Sequence, residues 1–241
     1  MLLRPDGDDT IVIGQPAHAW LSGQLARAWG NARFPAPEPW EEVCLGAEQH
    51  DLGMAEWDGK PKLNPRTGLP RSFMELELDD HLEVWWRAAP LVLQQSRYAA
   101  LLVSMHGTAL YERRRVPPAE QERVAAFLDG QRELQSRLLA DFDEQQVRRN
   151  QRLVWTWDSL SLGLLLGWAP FELKAVPAAD DDVDIEVTDH TLDPWPFTAP
   201  RIELRCEGRR LSGRFDDEAR MRRALDEAPW VDLQVRAATS L

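Results

Sequence analysis

The chain has 241 residues, 44% hydrophobic and 28% charged, with a formal net charge of −12. That is enough chain for a substantial core, and the acidity excludes a general affinity for nucleic acid or anionic membrane, which needs a basic footprint. Its two cysteines, Cys44 and Cys206, provide neither a disulfide framework nor a thiolate site, so any metal must be held by imidazole and carboxylate.

No apolar run reaches the length of a membrane span, and Met1 to Asp6 lacks the pattern of a secretory signal; a cytoplasmic location is expected. Asp9 to Ile13 reads as a short strand. Gln15-Pro16 then opens a helix on which His18, Leu21, Leu25 and Ala28 recur at helical spacing, placing His18 on or beside the inward face. After the proline-rich turn Phe34 to Pro39, a second helix runs from Trp40 to about Asp51, with Val43, Ala47, His50 and Met54 inward. The doublet His50-Asp51 closes it.

Gly53 to about Glu75 reads as a long irregular segment, and its Lys60, Lys62, Arg66 and Arg71 stand out against an acidic chain. A solvated loop and a substrate-binding loop both fit this pattern. A helix capped by Asp79 or Asp80 carries His81, Trp85, Ala88 and Val92, with Pro90 inside it. On the next helix, Tyr98 to Arg113, His106 shares a stripe with Ala99, Leu102, Val103 and Leu110. Two more helices follow, from Pro117 to about Glu144 and from Gln145 to Leu166. The second is so apolar around Asp158 that this carboxylate needs a cation or several hydrogen bonds.

Beyond Gly167 the texture becomes strand-like: Phe171 to Val176, Val183 to Val187, Arg201 to Cys206 and Leu211 to Phe215, with Glu207-Gly208-Arg209-Arg210 as a hairpin turn. A helix from Asp216 to Ala228 and a strand from Val231 to Arg236 complete the chain. Asp180-Asp181-Asp182 with Asp184 reads as an acidic surface loop, and His190 is not expected to be a ligand.

Four of the five histidines thus fall in the helical part, giving with Asp51 and Asp158 the order H, HD, H, H, D. Imidazole and carboxylate donors from several helices suit manganese, iron, magnesium or zinc, as one or two divalent ions. The order resembles the HD superfamily of metal-dependent phosphohydrolases over about residues 15 to 168. Over most of the chain, His18 to Ala26, His50 to Gly53, Val103 to Gly107 and Asp158 to Leu162 also resemble an uncharacterised bacterial family of unknown function.

The resemblance implies a mainly α, HD-like helical bundle over residues 1–168 with a small β-rich or α+β appendage over 169–241. It implies His18, His50, Asp51 and Asp158 as ligands of a primary metal, with His81 and His106 holding a second metal or contacting substrate phosphate. Some relatives carry a lysine after the doublet's glycine where this chain has Met54, and Lys60, Lys62, Arg66 or Arg71 are the candidate substitutes. The expected activity is hydrolysis of a small phosphoester or nucleotide by metal-activated water, with Asp51 and His106 catalytic. The alternatives are an HD-type di-iron oxygenase and a non-enzymatic metal- or nucleotide-binding module. The expected partner is a small phosphorylated molecule, with a homo-oligomer as a further option.

Overall fold

A computed structural model describes residues 1–113 and 115–239. Strands β1 (Leu2–Asp6) and β2 (Asp9–Ile13) form a hairpin, from which helix α1 (Gln15–Ala28) departs with Pro16 in its first turn, where a missing N–H costs nothing. Helix α2 (Trp40–Gln49) ends at His50, and a 3-10 turn over Leu52–Met54 leads into α3 (Ala55–Gly59). The short strands β3 (Leu63–Asn64) and β4 (Leu69–Pro70) pair with each other. Helices α4 (Leu78–Leu93), α5 (Arg97–Glu112), α6 (Gln121–Leu139) and α7 (Glu144–Leu166) follow. The Ser96 hydroxyl caps α5 by accepting from Ala99 N at 3.2 Å, and the Asp143 carboxylate caps α7 by accepting from Gln146 N at 2.7 Å.

The remaining elements are β5 (Phe171–Val176), β6 (Val183–Thr188), β7 (Thr191–Asp193), β8 (Arg201–Ser212), α8 (Glu218–Glu227) and β9 (Trp230–Thr239). They correct the expectation of a mainly helical bundle with a small appendage. The N-terminal hairpin joins the C-terminal strands in one seven-stranded mixed sheet, in the order β1-β2-β8-β9-β7-β6-β5, and the fold is α+β. Only the β7–β9 pairing is parallel among these strands.

The expected hairpin turn at Glu207 to Arg210 is instead the interior of β8, which pairs with β2 on one side and β9 on the other. A Cβ at Gly208 would lie 2.8 Å from Ile11 Cγ2 and 3.1 Å from Val12 O, so this glycine serves the close approach of β2 rather than a turn. Likewise the segment from Gly53 to Glu75 is not irregular, since it contains α3, the β3–β4 pair and a capped 3-10 turn at Phe73–Glu75.

Helix α1 packs on α2 and α7 and also on β8, so it lies between the other helices and the sheet. The main core crosses this junction: Leu21, Leu25 and Trp29 pack in one cluster with Leu153, Val154 and Trp157 of α7 and with Leu204, Cys206 and Val235 of the sheet. Trp29 meets Phe34, Trp157 and Phe197 edge-on, at ring-centroid distances of 5.5, 5.8 and 5.5 Å. Truncating it opens a cavity on both sides of the junction. Trp29→Ala is therefore expected to cost about 3–5 kcal/mol, read by urea denaturation. Far-UV circular dichroism and the remaining tryptophan fluorescence should lose signal in one coincident transition, and a second transition confined to one layer would contradict the shared core.

Candidate metal centre

Four segments bring their polar side chains to one buried point. His18 comes from the first turns of α1, His50 and Asp51 from the turn that ends α2, His106 from α5 and Asp158 from the middle of α7, and all five are buried. The glycine after the doublet lets this turn seat against α4, because a Cβ at Gly53 would lie 2.3 Å from Val84 O.

His18 Nε2 lies 3.2 Å from His50 Nε2, 3.2 Å from Asp51 Oδ2 and 3.1 Å from Asp158 Oδ1. His50 Nε2 lies 3.5 Å from Asp51 Oδ2 and 3.4 Å from Asp158 Oδ1. These five separations are those between ligands of a single ion. With bonds of about 2.1 Å, neighbouring donors stand about 3.0 Å apart around an octahedral ion and about 3.4 Å apart around a tetrahedral one. His106 Nε2 lies 3.6 Å from Asp158 Oδ2, and with His50 and Asp158 it forms a second group that could hold a metal ion.

The far sides of the His18 and His50 rings are fixed by hydrogen bonds that leave each Nε2 facing the centre. His50 Nδ1 donates to Ala47 O at 2.7 Å. The Ser161 hydroxyl donates to Asp158 O at 2.9 Å and accepts from the Ser22 hydroxyl at 2.9 Å, so His18 Nδ1, 2.6 Å away, donates to it. Such outer partners set the tautomer and aim of a metal-binding imidazole. Ser22 and Ser161 escape a search for ligand-type residues. Their signal is positional, a serine four residues after His18 and another three after Asp158, each on a buried helix face.

Electrostatics gives the same picture. Burial works against a charged His18, but hydrogen bonds to Asp158 and Asp51 outweigh it and raise its pKa to about 9. His50 is raised as well, by the charge of Asp51 and contact with Asp158, again against burial. Burial would lift Asp51 and Asp158, yet the two histidines hold both carboxyls below the usual range. In the metal-free protein, protons on the imidazoles thus stand where a cation fits. His106 behaves oppositely, because burial lowers it to about 4 and keeps it neutral at pH 7.

A cavity of about 530 Å3 opens over the centre, lined by Asp51, Asp158 and His106 and by Gln15, Met54, Phe73, Met74, Glu77, His81, Trp85, Leu110, Arg115, Glu120 and Leu162, among others. His81 therefore lies in the cavity wall rather than in the cluster. Its Nε2 accepts from Trp85 Nε1 at 3.2 Å, and its Nδ1 bonds the Tyr111 hydroxyl.

None of the four basic residues singled out between Gly53 and Glu75 lines the cavity, although Arg71 pairs with Glu77, which does. Lys60 pairs with Glu56 at 3.4 Å, Lys62 with Asp80 and Arg71 with Glu77 at 2.8 Å, while Arg66 is exposed. Among the described residues lining the cavity, the one cationic side chain is Arg115, which the sequence reading did not single out.

Metal and protons compete for the same nitrogens, which fixes two pH dependences. A raised His18 contributes stability that is complete below pH 6.5 and is lost as pH rises toward 9, whereas the lowered carboxyls contribute above pH 3.8 and lose it on acidification. Affinity for Mn2+ or Zn2+ should consequently rise with pH up to about 9, with protons released at pH 7. Calorimetric titration of chelator-treated protein in two buffers of different ionisation enthalpy measures this, and proton-neutral binding at pH 7 would contradict it. Ser161→Ala should weaken metal affinity by about 10- to 100-fold while leaving all four ligands in place.

No curated protein and no solved structure shows significant similarity to the chain. Among the described residues, no helix is long and apolar enough to cross a membrane. A family model does match residues 1–213, a span that includes every residue of the centre. The chain belongs to that family, described as a protein of unknown function (DUF3891).

Proposed function

We propose that this protein is a metal-dependent hydrolase of a small phosphoester, with one divalent ion held by His18, His50, Asp51 and Asp158. The observation that carries the reading is the set of donor separations between 3.1 and 3.5 Å at the floor of a cavity large enough for a small ester. A cation there answers the two buried carboxylates, and manganese, iron, magnesium or zinc each suits the nitrogen and oxygen donors. Such an ion supplies the Lewis acidity that makes water nucleophilic near neutral pH.

The protein's own groups do the rest. His18 and His50, locked by Ser161 and Ala47, keep their Nε2 lone pairs on the centre. His106 enters the reaction neutral and accepts a proton from the attacking water. Asp158 Oδ2, 3.6 Å from His106 Nε2, stabilises the imidazolium that forms. Arg115 meets the phosphoryl oxygens, where a guanidinium offers paired donors, and the phosphorus–oxygen bond breaks as the water adds in line, the leaving alkoxide taking a proton from solvent in the open cavity. Apolar side chains such as Phe73, Leu110 and Leu162 line the rest of the cavity and suit the ester's body.

Protein purified without chelator should carry about one equivalent of metal, the complement of a single mononuclear site. It should release inorganic phosphate from at least one member of a phosphomonoester and phosphodiester panel. Asp51→Ala should lose both the metal and the activity. His106→Gln should keep the metal and lose about 100-fold or more in kcat, as expected for removal of a general base. Unchanged metal content and hydrolysis in Asp51→Ala would overturn the reading. Two irons per chain with oxygen uptake would replace it with a di-iron oxygenase.

A further inference from the structure

Helix α1 gives the cavity one more polar side chain. Gln15, one turn before His18, lies on the same face of the helix, since residues three apart are neighbours there. It lines the cavity over the centre and is only 4% exposed. Its backbone N–H donates to Asp58 Oδ2 at 2.5 Å, which fixes where the side chain starts. Its side-chain oxygen Oε1, however, is buried with no hydrogen-bond partner.

Buried polar atoms are nearly always paired, and an exception at a cavity wall marks a group held ready for a ligand. A second such atom, His106 Nδ1, belongs to another residue of the same wall. An apolar residue of similar size at position 15 would fill the space without leaving an oxygen unpaired, so packing alone does not account for the carboxamide. The last side-chain torsion of glutamine is broad, and a half-turn exchanges oxygen for NH2. The amide can therefore offer an acceptor to a hydroxyl or a donor to an anion.

We infer that Gln15 is a substrate-binding residue, whose carboxamide, turned so that its NH2 faces the cavity, donates to a phosphoryl oxygen of the ester beside the His18 and Asp158 carboxylate–imidazole cluster. The inference rests on the phosphohydrolase reading for the nature of the ligand. Its position fits the role: Gln15 and Arg115 line the same cavity, so between them they offer an amide and a guanidinium to one phosphate group.

The test uses metal-loaded full-length protein, with inorganic phosphate as the probe and Gln15→Leu and Gln15→Glu as variants. Metal content and melting temperature are measured alongside phosphate affinity. For Gln15→Leu the expected result is unchanged metal content, an equal or higher melting temperature and phosphate binding at least about 10-fold weaker, the loss of one hydrogen bond to a charged group. Gln15→Glu should weaken phosphate binding further by placing a carboxylate against the anion. Wild-type-like phosphate affinity in both variants overturns the role of Gln15 and leaves the hydrolase reading standing. A wild-type protein that holds metal but binds no phosphate overturns both.

Discussion

Asp51 and Asp158 each place a carboxylate oxygen within 3.2 Å of the same imidazole nitrogen, His18 Nε2, inside the helical layer. Two buried negative charges so close together demand positive charge between them, because neither burial nor mutual repulsion is otherwise offset. The three segments that carry these groups can pack closely only if that demand is met. Protons on His18 and His50 meet it, and the same donors could hold a metal ion in their place.

Much of the local structure follows from that requirement. Ser22, Ser161 and the carbonyl of Ala47 are spent on orienting the two rings, and Gly53 lets the doublet's turn sit against the backbone of α4. Helix α1 carries Gln15, His18 and Ser22 on buried positions at the same time as it packs on β8. Errors in the sheet are thereby transmitted to the centre through α1, and also through α7, which packs on β5 and β1. Trp157, the neighbour of Asp158, packs against Trp29 in the shared core, so Asp158 on α7 is anchored by the same junction.

The centre was legible in the sequence to the extent that its residues contradict their surroundings. Asp158 interrupts an apolar helix, and His18 and His106 interrupt apolar stripes. Hydrophobic periodicity exposes such misfits, and the structure gathers them. His81 has a similar local signature but is engaged by Trp85 one turn on and by Tyr111 from α5, and the second partner is not legible from the local pattern. Lys60, Lys62 and Arg71 stand out in the sequence as a basic group, which shows charge without showing the acids that fold back onto it. The seven-stranded sheet was illegible for a related reason. Its longest strand, β8, joins the N-terminal hairpin to the C-terminal strand β9, and Gly208-Arg209-Arg210 imitates a turn in sequence while its glycine makes room for β2. Gln15 and Arg115 carry no motif and are identified only by the cavity they share.

The central claim is that one ion sits among His18, His50, Asp51 and Asp158. X-ray absorption at the metal edge of protein purified without chelator tests it most directly. The expected spectrum has a nitrogen and oxygen shell at about 2.0–2.2 Å, outer-shell scattering from two imidazoles, and neither sulfur nor a second metal nearby. A shell containing sulfur, a metal–metal vector, or a shell without imidazole scattering would contradict the site described.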